Sequence, residues 1–185
     1  MTKRIYLAGS FDNDIDWRND FRIKLKNKFK DEVIGISPFE RQLNENNPLD
    51  KVGHDMFCVK NSDLIVVNAI KSKITMGTAQ EIILAKYWDK PVIIITDEES
   101  GIKFPQRISK NGVKMKNYIH PFAFNFSDAI VDDYDKVIDL IQDFLSGKKT
   151  TKSFKDTLLP CEIYEKEIFP TDTITQKFFK RVSNS

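Results

Sequence analysis

The sequence is short of the residues that would announce a metal centre or a disulfide scaffold. It holds two cysteines, Cys58 and Cys161, and two histidines, His54 and His120, among 185 residues. Neither pair has metal-ligand spacing, and a disulfide framework needs more cysteines in a much shorter chain. Lys+Arg 29 against Asp+Glu 27 leaves a net charge of +2, so the basic field that a nucleic-acid polymer demands is missing. No window approaches the roughly 18 consecutive apolar residues of a membrane span. Met1-Thr2-Lys3-Arg4 leads straight into a short apolar run, without the h-region of a signal peptide. The loop after that run is not a G-x-G-x-x-G, which removes the support for a dinucleotide cofactor. Together these absences lead us to expect a cytoplasmic protein with no metal, no cofactor, no membrane contact and no nucleic-acid partner.

What is present is the composition of a globular domain, 41% hydrophobic and 11% aromatic. A chain of this length buries roughly 70% of its unfolded surface and holds its own core. Residues 5–9 read as a buried first strand, followed over 15–29 by Trp17, Phe21, Leu25 and Phe29 at helical spacing. Residues 33–37, ended by Pro38, suit a second strand, and 49–60 a second helix with Val52, Met56 and Val59 on one side. The runs at 64–67 and 92–95 are continuously β-branched, as in strands covered on both faces, with a good helix former over 78–88 between them. Residues 98–117 are rich in Gly, Lys, Ser and Asn and read as a long mobile loop of the kind that covers a site. Phe122-Ala123-Phe124-Asn125-Phe126 reads as a last strand, and 132–144 as a final helix with Val137, Leu140, Ile141 and Phe144 on one face. After a polar linker, residues 148–185 carry too much apolar content for a solvated tail, so this extension is expected to pack on the body or on a neighbouring protomer. Alternating strands and helices predict an α/β fold over 1–147: a doubly wound, flavodoxin- or Rossmann-like three-layer sandwich around a mainly parallel five-stranded sheet.

The stretch Thr75-Met76-Gly77-Thr78-Ala79-Gln80-Glu81-Ile82 puts a carboxylate on what reads as the first turn of a helix, at the carboxyl end of a strand. Open α/β sheets bind ligands there, and the amides of a helix start favour an ionised carboxylate. With Ile5-Tyr6-Leu7-Ala8-Gly9-Ser10, the Asn61-Ser62-Asp63 step and Lys90-Pro91-Val92, this block resembles, in order and spacing, the nucleoside 2-deoxyribosyltransferase family over roughly residues 3–145. The resemblance implies that Glu81 is a nucleophile attacking C1′ of a deoxyribose, that Asp55 binds sugar hydroxyls and orients it, and that Tyr6 holds it in place. A carboxylate is a competent nucleophile toward an oxocarbenium-like centre.

Gly9 and Ser10 close the first strand where a ligand would approach, and Phe11 reads either as a base-stacking ring or as packing. Gly77 belongs to the same substrate-binding block. Thr75 stands where the family usually places a base-handling aspartate, and a threonine hydroxyl cannot act as that acid. This departure keeps open a deoxynucleoside 5′-monophosphate N-glycosidase transferring to water, with Lys71, Ser72 and Lys73 nearby, and a non-catalytic nucleotide-sensing module. The family also uses a late asparagine, for which Asn125 is the best match and Asn117 competes. The partners implied are a nucleoside or nucleotide, a free nucleobase, and further copies of the chain in a dimer-based homo-oligomer. Asp63 reads as structural.

Overall fold

Side-chain alternation along the first strand decides which helices meet which face of the sheet. In the computed structural model, which describes residues 2–9, 16–41 and 46–179, β1 (Lys3–Gly9) turns Ile5 and Leu7 to one face and Tyr6 and Ala8 to the other. The first face packs against Trp17, Phe21 and Leu25 of α1 (Trp17–Phe29) and Val137, Ile141 and Phe144 of α5 (Tyr134–Leu145). The second packs against Cys58 and Val59 of α2 (Pro48–Lys60) and Ile82 and Ala85 of α3 (Met76–Tyr87). Between these layers, β2 (Val33–Ile36), β1, β3 (Leu64–Ala69), β4 (Val92–Thr96) and β7 (Ala129–Val131) form an all-parallel five-stranded sheet in the order β2-β1-β3-β4-β7. Every residue of β3 and β4 is buried, as expected of continuous β-branched runs covered on both sides.

Two expectations are corrected. The segment read as a long mobile loop contains an antiparallel hairpin, β5 (Lys103–Ile108) with β6 (Lys114–Ile119). Its lysines hid the pairing, which aromatic and guanidinium contacts supply: Phe104 lies 6.0 Å from Tyr118, and Arg107 stands 4.6 Å over the Tyr118 ring. The segment Phe122–Phe126 is not the last strand but lies in a short helix, α4 (Pro121–Phe126), opened by proline at its first position. Its alternating phenylalanines fit a helix because Phe122 and Phe126, four apart, stack with centroids 6.4 Å apart. The last strand is β7.

The extension contains α6 (Phe154–Ile163), a π-helical turn (Tyr164–Ile168) and α7 (Thr173–Phe179). Its start is held by a buried ion pair. Lys86, on α3, reaches the Asp128 carboxylate at 2.9 Å with both side chains shielded from solvent. Asp128 also accepts hydrogen bonds from the Val92 and Lys152 amides at 2.7 Å each and from the Thr151 hydroxyl at 3.1 Å. The far end of α3, the start of β4 and residues 151–152 therefore share one carboxylate. Removing one partner of such a pair strands the other charge. Lys86→Ala should lower unfolding stability by about 3–5 kcal/mol, measured by chemical denaturation.

Candidate active site

The strand order reverses between β1 and β3, and open sheets bind ligands in the crevice beyond the carboxyl ends of the strands at such a point. A cavity of about 340 Å³ lies there. Gly9 ends β1 at its floor, with φ at +117° and a hypothetical Cβ only 2.3 Å from the Asn68 carbonyl oxygen of β3. Only glycine permits that approach of the two strand ends.

Tyr6 points to the α2/α3 face, as the alternation of β1 requires, and its hydroxyl donates to Glu81 Oε1 at 2.6 Å. Glu81 is the sixth residue of α3, so it lies in the second turn rather than the first. The helix-start amides are therefore not its main influence, and the expectation that they keep it ionised is corrected. Burial dominates and pushes the carboxyl from 4.5 up to about 7, with the Asp55 charge adding to the rise while the Tyr6 hydrogen bond and Arg18 oppose it. Burial and the adjacent Glu81 also raise the Tyr6 phenol far above its ordinary range, which keeps it a donor.

Asp55, from α2, lines the same cavity. Its Oδ1 lies 3.0 Å from His54 Nδ1 and 3.3 Å from Arg41 Nη1, and Arg41 donates also to the Pro38 carbonyl at 2.7 Å. Thr75 caps α3, accepting from the Thr78 amide at 3.2 Å, and both threonines line the cavity with Gly77. A Cβ on Gly77 would meet nothing closer than the Thr75 hydroxyl at 4.0 Å, so packing does not demand glycine there.

The structure thus brings Tyr6, Gly9, Asp55, Thr75, Gly77 and Glu81 to one crevice. Ser10 and Phe11 lie outside the described residues. Asn125 is elsewhere, on α4, where its amide donates to the Thr157 carbonyl of α6 at 2.7 Å. Asn117 is in β6, Lys71 donates its amide to Asp97, and Lys73 lines a different cavity. That cavity, about 500 Å³ and beside Ile82, Ile83, Phe122 and Phe126, is larger but apolar. The carboxylates are in the smaller one. Asp63 accepts from Lys3 at 3.0 Å and from the Arg4 amide at 2.8 Å, a structural tie to the start of β1.

Two arginines were missed. Arg18 is fully buried, donating to the Leu7 carbonyl at 2.9 Å and to that of Gly9, and pairing with Asp16 at 3.0 Å. Arg41 bears directly on Asp55. A signal for Arg18 existed: it stands three before Phe21 and seven before Leu25, on the apolar stripe of α1. Among the described residues no cluster of His, Cys, Asp and Glu is gathered as for a metal ion, and no helix is long and apolar enough to cross a membrane.

No protein-family model matches the chain, and no curated protein is significantly similar to it in sequence. Solved structures are similar in fold. A conserved protein from Enterococcus faecalis V583 is 17% identical, covering 77% of this chain and 98% of its own, with a TM-score of 0.58. A 2-desoxiribosyltransferase from Leishmania mexicana is 19% identical, covering 75% of this chain and 95% of its own, with a TM-score of 0.53. At these identities the likeness establishes the α/β fold alone. A 2-deoxyribosyltransferase from Bacillus psychrosaccharolyticus, 18% identical over 74% of this chain and 90% of its own, has a TM-score of 0.48, too low to add to that.

The raised carboxyl of Glu81 is a stability statement. The native state holds this proton more tightly than the unfolded chain, so the stability it contributes is present below pH 4.5 and is lost as pH rises through about 7. Glu81→Gln should therefore stabilise the fold by about 3 kcal/mol at pH 8 and by little at pH 4, measured by denaturant titration at the two pH values.

Proposed function

We propose that the chain is a nucleoside 2-deoxyribosyltransferase, cleaving the N-glycosidic bond of a 2′-deoxynucleoside and passing the sugar to a second nucleobase. The observation that carries this reading is the Tyr6–Glu81 hydrogen bond at 2.6 Å inside a crevice that also holds Asp55. Tyr6 occupies Oε1, which leaves Oε2 as the attacking oxygen. As Oε2 bonds to C1′, the bond from C1′ to the base nitrogen breaks and its electron pair leaves with the base. A nitrogen of the second base then attacks C1′, frees Glu81 and gives up its proton to solvent, while the departed base takes one up from solvent. Two displacements through a glycosyl ester lower each barrier relative to one direct exchange. Asp55, an acceptor-only carboxylate, suits the hydroxyls of the sugar. The fold shared with the Leishmania mexicana 2-desoxiribosyltransferase offers such chemistry its crevice.

A second reading, hydrolysis of a deoxynucleoside 5′-monophosphate, is favoured by two features of the cavity. Position 75 carries a hydroxyl already engaged as a helix cap rather than an acid, and Lys51 supplies a cation at the wall. Incubation with deoxyinosine and adenine, and separately with each deoxynucleoside monophosphate, separates the two by chromatography. New deoxyadenosine supports transfer, and free base with deoxyribose phosphate supports hydrolysis. Under both, Glu81→Ala should cut turnover by about 10⁴-fold or more with the fold retained, and unchanged turnover refutes the assignment.

A nucleophile must be ionised, so kcat/KM should rise through about pH 7 and level off above it. Tyr6→Phe removes a hydrogen bond that favours the carboxylate and should move that acid limb upward. A limb unmoved in Tyr6→Phe would deny the phenol any hold on Glu81.

A further inference from the structure

Asp55 owes its setting to its neighbour in sequence. Adjacent residues on a helix project about 100° apart and do not normally face each other. Yet the His54 ring lies against the Asp55 carboxylate, Nδ1 to Oδ1 at 3.0 Å, while its Nε2 lies 3.6 Å from the Cys58 sulfur one turn along α2. Burial raises the Cys58 thiol above its ordinary range, so the sulfur keeps its proton and can donate to Nε2. A ring nitrogen that accepts at Nε2 carries its own proton on Nδ1, where it donates to Asp55. The chain of donors runs one way, from thiol to imidazole to carboxylate. Among the described residues, every hydrogen bond to this carboxylate lands on Oδ1, from His54 and from Arg41. Oδ2 is the oxygen left for a ligand in the cavity.

We propose that His54 is a positioning residue that clamps Oδ1 of Asp55 and thereby presents Oδ2 to one hydroxyl of the sugar. The inference rests on the nucleoside reading and names what orients the sugar in it. His54 does not touch the substrate; it acts through Asp55, and Cys58 sets the ring's tautomer. No proton needs to move along the chain during turnover.

The imidazole can be dissected by amides of matching reach. Asparagine places an N–H near the position of Nδ1, whereas glutamine places one near Nε2. The test measures kcat and KM for wild type, His54→Ala, His54→Asn and His54→Gln. The substrates are a 2′-deoxynucleoside and two analogues, one lacking the 3′-hydroxyl and the other the 5′-hydroxyl. With the full substrate, His54→Ala should raise KM by about tenfold, the scale of one hydrogen bond to a charged group, with kcat little changed. His54→Asn should restore most of that loss and His54→Gln should not. With one of the two analogues, the difference between wild type and His54→Ala should vanish, which identifies the hydroxyl Asp55 holds.

A merely structural histidine predicts equal losses on all three substrates, and that result overturns the proposal. So does a glutamine variant as active as the asparagine variant, a comparison that stands even if His54→Ala fails to fold. Wild type inert on every substrate would instead sink the nucleoside reading, and the role of His54 with it.

Discussion

A phenol and a carboxylate in contact across two elements govern the architecture around the crevice. Tyr6 comes from the second position past Arg4 on β1 and Glu81 from the second turn of α3, seventy-five residues later. For the two to meet, β1 must turn its even-numbered side chains toward α3, and β3 must run parallel beside β1 so that α3 crosses back over that face. A one-residue slip in β1 would send Tyr6 to the α1/α5 side and leave Glu81 buried without its donor. The register is fixed by Ile5 against Leu64 and Gly9 against Asn68, and at the latter pair the missing Cβ lets the strands close. Glu81 therefore depends on hydrophobic alternation far more than on any local helix feature.

The same crevice gathers charge that the sheet alone would not supply. Arg18 lies under the end of β1 and holds its carbonyls, and Arg41 lies beside Asp55. The two carboxylates in this cavity repel even so, and without Arg18 the Glu81 carboxyl would be pushed higher still. Arg18 already acts in the lowering direction on Glu81. The balance leaves the Glu81 carboxyl raised to about 7, a compromise between a dry pocket and an ionised oxygen. A fully solvated glutamate would be ionised but wrapped in water, and a fully isolated one would keep its proton.

The layered fold was legible in the sequence because its signals are local and repeated. The apolar run of β1 and the β-branched runs of β3 and β4 mark strands covered on both faces, and 3.6-residue stripes in α1 and α5 mark the faces those helices bury. Glu81 was named from its place after β3 and from the family resemblance, Tyr6 and Asp55 from the resemblance alone, and the structure brings the three together. The hairpin was not legible, because strands exposed on both sides carry lysine at the positions where a core strand would carry valine. Nor was α4, since three phenylalanines at alternate positions satisfy either a strand or an i, i+4 stack, and only the proline at its start favours the helix. Arg41 was invisible for a different reason. Its partners, Pro38 and Asp55, are brought to it by a turn and by a second element, and no spacing in the sequence encodes that meeting.

Under the proposed function Glu81 must be held to fractions of an ångström, which makes the anchoring of α3 part of the chemistry. At its start the helix is capped by Thr75, whose hydroxyl takes the Thr78 amide that would otherwise be unsatisfied. At its end, Lys86 is locked into Asp128 and Thr151, Tyr87 packs edge-on against Phe154, and Asp89 just beyond accepts from the Phe154 amide. The extension thus grips the carboxyl end of the helix whose second turn carries Glu81. Glu81 and Lys86 are five residues apart, about 7.5 Å of helix rise, too short a lever for one to move without the other. A threonine at the cap serves this anchoring in the same way as an aspartate, if somewhat more weakly, since both accept the same amide. Under the proposed function, a hydroxyl rather than an acid at position 75 therefore leaves the helix fixed and bears only on what can be done to the leaving base.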